Sequence, residues 1–160
     1  MVDYVLGVTI FLIRHAHAGK RSEWASDDRS RPLSDRGIKQ SQALTAVVGD
    51  IAVGRIVSSP YVRCMQTVQP LETKFDLTIE TSDAFAEGAD DEIAYRLLLA
   101  LNDDDGVVCS HGDVIPRLLR RLVADGMDTD GSLIDQKGST WIIEMRNGRP
   151  FHGRYVPPSK

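Results

Sequence analysis

At 160 residues and 42% hydrophobic content, the chain suits one compact domain over residues 1–160 with a buried core, which excludes a disordered or fibrous protein. A net charge of −4 argues against general nucleic-acid binding, which leaves a basic footprint on a groove or face. The two cysteines, Cys64 and Cys109, sit in apolar segments rather than at metal-ligand or secreted-framework spacing. They read as buried free thiols in a reducing cytoplasm, the expected compartment.

The apolar stretch from Tyr4 to Ile13 lacks the basic start and small-residue cleavage site of a signal peptide and is too short to cross a bilayer, so no membrane association is expected. Its continuous run from Val8 to Ile13 predicts a central strand buried on both faces. The segment from Arg14 to Arg36 holds six basic residues (Arg14, Lys20, Arg21, Arg29, Arg31, Arg36) and four acidic ones (Glu23, Asp27, Asp28, Asp35), a local excess of positive charge in an acidic chain. Ser34 predicts the cap of a helix in which Leu44, Val47, Val48 and Ile51 recur at helical spacing. Arg55 to Ser58 predicts a second strand. Ser59 and Pro60 predict the cap and first turn of a helix burying Cys64, Val68, Leu71 and Phe75.

A brief strand is expected at Thr78 to Thr81, then an acidic loop and a helix from Asp91 to Leu101. Gly106 to Ser110 reads as another buried strand, and Ile115, Leu118, Leu119, Leu122 and Val123 stripe the helix that follows. Ser139 to Met145 and Phe151 to Val156 flank Asn147-Gly148, a hairpin turn that needs positive φ. Trp24 and Trp141 read as packing residues. Alternating strands and helices predict an α/β fold, a three-layer α/β/α sandwich with a mostly parallel sheet, whose ligands bind at the carboxyl ends of the strands. His15 and His111 both follow predicted strands and so lie at such ends.

Arg14-His15-Ala16 after one strand, Ser58-Ser59-Pro60-Tyr61-Val62-Arg63 at a strand-to-helix turn, and Ser110-His111-Gly112 after another strand together resemble the histidine phosphatase superfamily, the phosphoglycerate-mutase-like proteins. Leu33-Ser34-Asp35-Arg36-Gly37 and Gln66-Thr67 match the same pattern. Within it, the short chain resembles the SixA type of phosphohistidine phosphatase. Lys137-Gly138-Ser139-Thr140-Trp141 is similar to the histidine-phosphatase domain that follows a Nudix domain in some actinobacterial proteins, which brings nucleotide or polyphosphate substrates into view.

The resemblance implies a cofactor-free, metal-independent phosphatase acting on a phosphorylated protein or a small phosphorylated metabolite. It implies His15 as nucleophile, Arg14, Arg63 and His111 as ligands of the phosphoryl group, and Glu87 in the catalytic set as candidate general acid. The chemistry suits those residue types. A neutral imidazole attacks phosphorus in line, and guanidinium forks stabilise charge on the equatorial oxygens. Flanking cations lower the pKa of His15 and favour the neutral nucleophile. Asp113 is the other candidate acid. Lys20 and Arg21 are candidate substrate-binding residues that steer an anion. Ala16 stands where the family commonly has glycine, a change tolerated if φ there is negative.

Three other readings stand beside this one. His15, His17, His111 and Asp113 could supply the ligands of a metallohydrolase, although a metal leaves Arg14 and Arg63 unexplained. A cysteine-based phosphatase needs an arginine six residues after its cysteine, where Pro70 and Ile115 stand. A binding module would hold phosphate without turnover. His17 and His152 read as structural or exposed residues.

Overall fold

The first strand, β1 (Gly7–Arg14), is central because both of its faces are apolar. Its side chains alternate across the sheet, sending Phe11 and Ile13 to one core and Ile10 and Leu12 to another. The computed structural model describes residues 7–160; the part of the first apolar stretch from Tyr4 to Leu6 lies outside the described residues.

From β1 the chain runs through α1 (Asp35–Val48), β2 (Arg55–Ser58), α2 (Val62–Phe75), β3 (Glu80–Thr81), α3 (Asp91–Ala100) and β4 (Gly106–Ser110). It continues through α4 (Ile115–Ala124), β5 (Asp128–Thr129), β6 (Thr140–Arg146) and β7 (Arg149–Val156). The seven strands form one sheet in the order β3-β2-β4-β1-β6-β7-β5. Among the described residues only β6 runs against its neighbours, so the sheet is mostly parallel. On one face Phe11 and Ile13 pack with Leu44 and Val48 of α1 and with Cys64, Val68 and Leu71 of α2. On the other, Ile10 and Leu12 pack with Leu98 of α3 and Leu118, Leu119 and Leu122 of α4. These are the three layers expected.

The register positions the site. Arg14 pairs with Ser110, and Ser58 with Cys109, so the residues that follow β1, β2 and β4 leave the sheet at one level and side by side. His15, Ser59 and His111 occupy those positions.

Ser34 caps α1 as expected, its hydroxyl accepting the Gly37 N–H at 3.1 Å. That helix stops at Val48, and Ile51 packs on the same core from outside it. The cap expected at Ser59 is a correction. Helix α2 begins at Val62 behind Tyr61, because the Ser59 N–H stays in the sheet, bonded to the Cys109 carbonyl at 3.0 Å. Val123 is exposed rather than on the buried stripe, and Trp24 is 36% exposed whereas Trp141 is buried. Asn147 (φ 52°) and Gly148 (φ 75°) make the predicted hairpin turn. Strand β7 starts earlier than expected, and Pro150 fits within it because the β6–β7 register shifts beside its partner Met145.

Candidate active site

His15 leaves the end of β1 with its N–H bonded to the Ser110 carbonyl, and the Gly138 N–H is shared by the Arg14 and His15 carbonyls at 3.1 and 3.0 Å. Its ring Nδ1 lies 2.8 Å from the Ala16 carbonyl oxygen. A carbonyl only accepts, so Nδ1 carries the proton and Nε2 keeps its lone pair. Burial, the largest cause, pushes the His15 pKa down to about 3; the Ala16 bond works against this, while His111, Arg63 and Arg14 push further the same way. The imidazole is therefore a neutral base with its nucleophilic nitrogen free. Ala16 has no positive φ, and its N–H donates to Thr67 Oγ1 at 3.0 Å, so the residue fits where a glycine is common in the family it resembles.

His111, fully buried at the end of β4, sets its ring 5.3 Å from that of His15 and 4.7 Å from that of Tyr61, edge to face in both cases. Arg63 is 1% exposed. Its Nη1 donates to the Asp28 carbonyl at 2.9 Å and its Nη2 to Asp28 Oδ2 at 3.1 Å, with the guanidinium 4.8 Å from the Tyr61 ring centre. Arg14 donates from Nη1 to the Asp135 carbonyl at 2.7 Å, and its guanidinium lies against Gly112, where a Cβ would stand 2.6 Å from Cζ.

Arg14 Nε, Arg63 Nε and His111 Nδ1 are buried and make no hydrogen bond within the chain. Buried donors are normally paired. Three such nitrogens on the residues around a neutral imidazole suit a small oxyanion.

Glu87 sits at the rim. Arg21 holds both its oxygens, at 2.9 and 2.7 Å, and Arg63 Nη2 lies 3.6 Å from Oε2. Asp113, the other candidate acid, accepts the Gly88 N–H at 2.7 Å and so ties down the loop that carries Glu87. Arg21 also pairs with Asp28 at 3.1 Å, whereas Lys20 is exposed on an adjoining cleft. His17 turns away, its Nδ1 2.7 Å from Ser34 Oγ and its N–H on Gln40 Oε1. No three histidine, cysteine or acidic side chains among the described residues gather into a metal-binding group, so the set of His15, His17, His111 and Asp113 is not assembled. Cys64 and Cys109 are free and buried, as expected.

The model of the histidine phosphatase superfamily (branch 1) matches residues 10–94, which carry Arg14, His15, Arg63 and Glu87. The chain belongs to the histidine phosphatase superfamily. It is 33% identical over 157 residues to an 8-oxo-(d)GTP phosphatase of Mycolicibacterium smegmatis, an alignment covering 94% of this chain and 48% of that protein. The chain thus spans about half the length of this curated relative. Among solved structures, the protein histidine phosphatase SixA complexed with tungstate superposes with a TM-score of 0.74 at 19% identity, covering 96% of this chain and 97% of that one. A mycobacterial glucosyl-3-phosphoglycerate phosphatase superposes at 0.66 with 14% identity, covering 93% and 97%. At these identities the likeness is one of fold.

The pairing of Gln66 and Thr67, part of the histidine phosphatase pattern, has a physical explanation. Gln66 Oε1 accepts the Leu33 N–H at 2.8 Å and Thr67 Oγ1 accepts from Ala16, so both stitch α2 to the loop after His15. The sequence reading missed Asp28, Asp135, Tyr61 and Lys137. Asp28 carried no signal, since its role depends on a loop folding back on α2. Lys137 stood in a quoted segment, and its pKa is lowered by burial and then by Arg14, Arg31 and Arg63, which marks it as a further cation beside the site.

Proposed function

We propose that the chain is a metal-independent phosphatase that hydrolyses phosphate monoesters or phosphoramidates, protein phosphohistidine among them, through a phosphorylated His15. The observation that carries this reading is the neutral His15 ring, held by the Ala16 carbonyl with Nε2 free, among the unpaired nitrogens of Arg14, Arg63 and His111. In the first step Nε2 forms a bond to phosphorus as the bond to the leaving group breaks, and the guanidiniums take up charge on the equatorial oxygens. Water then attacks phosphorus, the P–N bond breaks with its electron pair returning to Nε2, and the protons of the water leave with the dihydrogen phosphate product. Glu87 is the candidate proton donor to an alcohol leaving group. Its two carboxyl oxygens are held by Arg21 at 2.9 and 2.7 Å.

The test is hydrolysis of an aryl phosphate in excess EDTA, with native protein and His15→Ala compared for an acid-labile phosphoenzyme. Turnover that resists EDTA, with a phosphoenzyme lost in the variant, is expected. Activity abolished by EDTA would replace this reading with a metal site, and phosphate binding without phosphoenzyme would replace it with a binding module.

A nucleotide substrate is a second reading, favoured by one feature of the surface. A cleft of about 230 Å³ is lined by Lys20, Glu23, Trp24, Arg31 and Leu33, and Arg31 shares Asp28 with Arg63. The relative from Mycolicibacterium smegmatis is named for a nucleotide. Base stacking on an aromatic ring is worth about 1–3 kcal/mol, so Trp24→Ala is expected to raise KM about tenfold for a nucleoside phosphate and leave a phosphohistidine peptide unchanged. Equal effects on both would remove this reading.

A further inference from the structure

Ser59 sits fully buried where β2 ends, and its hydroxyl oxygen lies 2.8 Å from Nε2 of His111. The same oxygen accepts the Tyr61 N–H at 3.2 Å. A serine hydroxyl has one hydrogen to give, and neither an amide N–H nor a protonated ring nitrogen offers a lone pair to receive it. His111 Nε2, when unprotonated, does. The Cys64 sulfur, 3.5 Å from Nε2, is a second side-chain partner of the Ser59 hydroxyl, but sulfur is a weaker acceptor than an imidazole nitrogen, and Cys64 has the Ser110 carbonyl as its own acceptor at 3.7 Å. The proton of a neutral His111 is then on Nδ1, the buried ring nitrogen with no partner in the chain.

We propose that Ser59 is a positioning residue that donates to Nε2 of His111 and so holds this ring as the Nδ1–H tautomer, with that N–H presented to the transferring phosphoryl group. The inference deepens the phosphatase reading and rests on it for the identity of the anion. It also gives Ser59 a reason to be serine. A helix cap would direct the hydroxyl at the amides within α2, whereas here the backbone of Ser59 is held by β4 and its hydroxyl takes only the Tyr61 N–H ahead of that helix while facing the second histidine. Without the hydroxyl, Nε2 loses its donor, the two tautomers of His111 become close in energy, and a fraction of the protein presents a lone pair to the phosphate oxygens. Removing one preorganised donor from such a site costs on the order of 10²-fold in kcat.

The test reads the tautomer directly. In the native protein, ¹⁵N shifts of His111 are expected to show a protonated Nδ1 and an unprotonated Nε2; a protonated Nε2 in the neutral ring overturns the inference whether or not any variant folds. Ser59→Ala is expected to mix the tautomers and lower kcat toward aryl phosphate by about 10²-fold, more than it raises KM. Ser59→Thr, which restores the hydroxyl, is expected to recover the native shifts and a part of the rate. Native shifts and rate in a folded Ser59→Ala protein overturn the role. The phosphoenzyme assay on native protein separates the two layers: no phosphoenzyme there removes the phosphatase reading, while a native phosphoenzyme with an unaffected Ser59→Ala variant removes only Ser59.

Discussion

Gly112 leaves no room for a side chain, because the Arg14 guanidinium occupies the space where a Cβ would stand. A single methyl group there must move Arg14, whose Nη1 bond to the Asp135 carbonyl spans 2.7 Å. Displacement of a phosphate ligand by about 1 Å can cost 10²-fold in rate. Gly112→Ala is therefore expected to lower kcat/KM toward an aryl phosphate by at least about tenfold, with thermal unfolding close to native. Activity equal to native would show that Arg14 is not a ligand of the phosphoryl group. The glycine after His111 was legible in sequence as part of a pattern, but its cause is a contact with a residue 98 positions away, which no local reading supplies.

Between β1 and α1, the basic loop works as a brace rather than as a free cationic patch. Asp28 joins Arg21, Arg31 and Arg63, and Arg21 passes on to Glu87, so the local positive charge is largely consumed by internal pairs. Burial alone would raise the Asp28 pKa, yet the bonds from Arg31 and Arg63 outweigh it and hold the carboxyl below its usual range. Asp28→Ala would leave the buried Arg63 with a backbone acceptor and the longer ion pair to Glu87 at 3.6 Å. A loss of about 2 kcal/mol in urea unfolding at pH 7 is expected, along with a fall in kcat/KM, and Asp28→Asn should lose less because it keeps an acceptor oxygen. Equal losses in the two variants would count against the brace. Most elements were legible at this scale: the buried runs and helical stripes predicted four helices and the main strands in the right order. Strand β5 was not, since Asp128–Thr129 is two residues with no pattern and exists only because His152 and Gly153 pair with it.

For the molecule as a whole, a buried neutral histidine at the site costs stability in acid. His15 stays unprotonated in the native state down to about pH 3, while the unfolded chain takes up that proton below about 6.5. Between those values the unfolded state binds more protons, so stability falls as pH falls, by up to about 1.4 kcal/mol per pH unit from this group. His15→Ala removes this contribution and leaves that of His17, whose pKa is also lowered by burial and by Arg36, Lys137 and Arg31. Urea unfolding of native and variant at several pH values from 7 to 4 is expected to show their difference shifting in favour of the variant as pH drops. A constant difference would mean that His15 titrates alike in both states.

By itself the sequence determined the layer architecture, since hydrophobic period distinguishes strand from helix locally, and it placed His15 and His111 at strand ends. It also marked Arg14 and Arg63 through a family pattern whose members lie in order along the chain. Tertiary structure alone decided which hydroxyl meets which imidazole and which carboxylate braces Arg63. Those outcomes depend on the register of β2, β4 and β1 and on a loop packed against α2, and both are contacts between residues distant in sequence. Ser59 shows the difference: local propensity reads it as a helix cap, and the strand pairing that holds its backbone turns its hydroxyl to His111 instead.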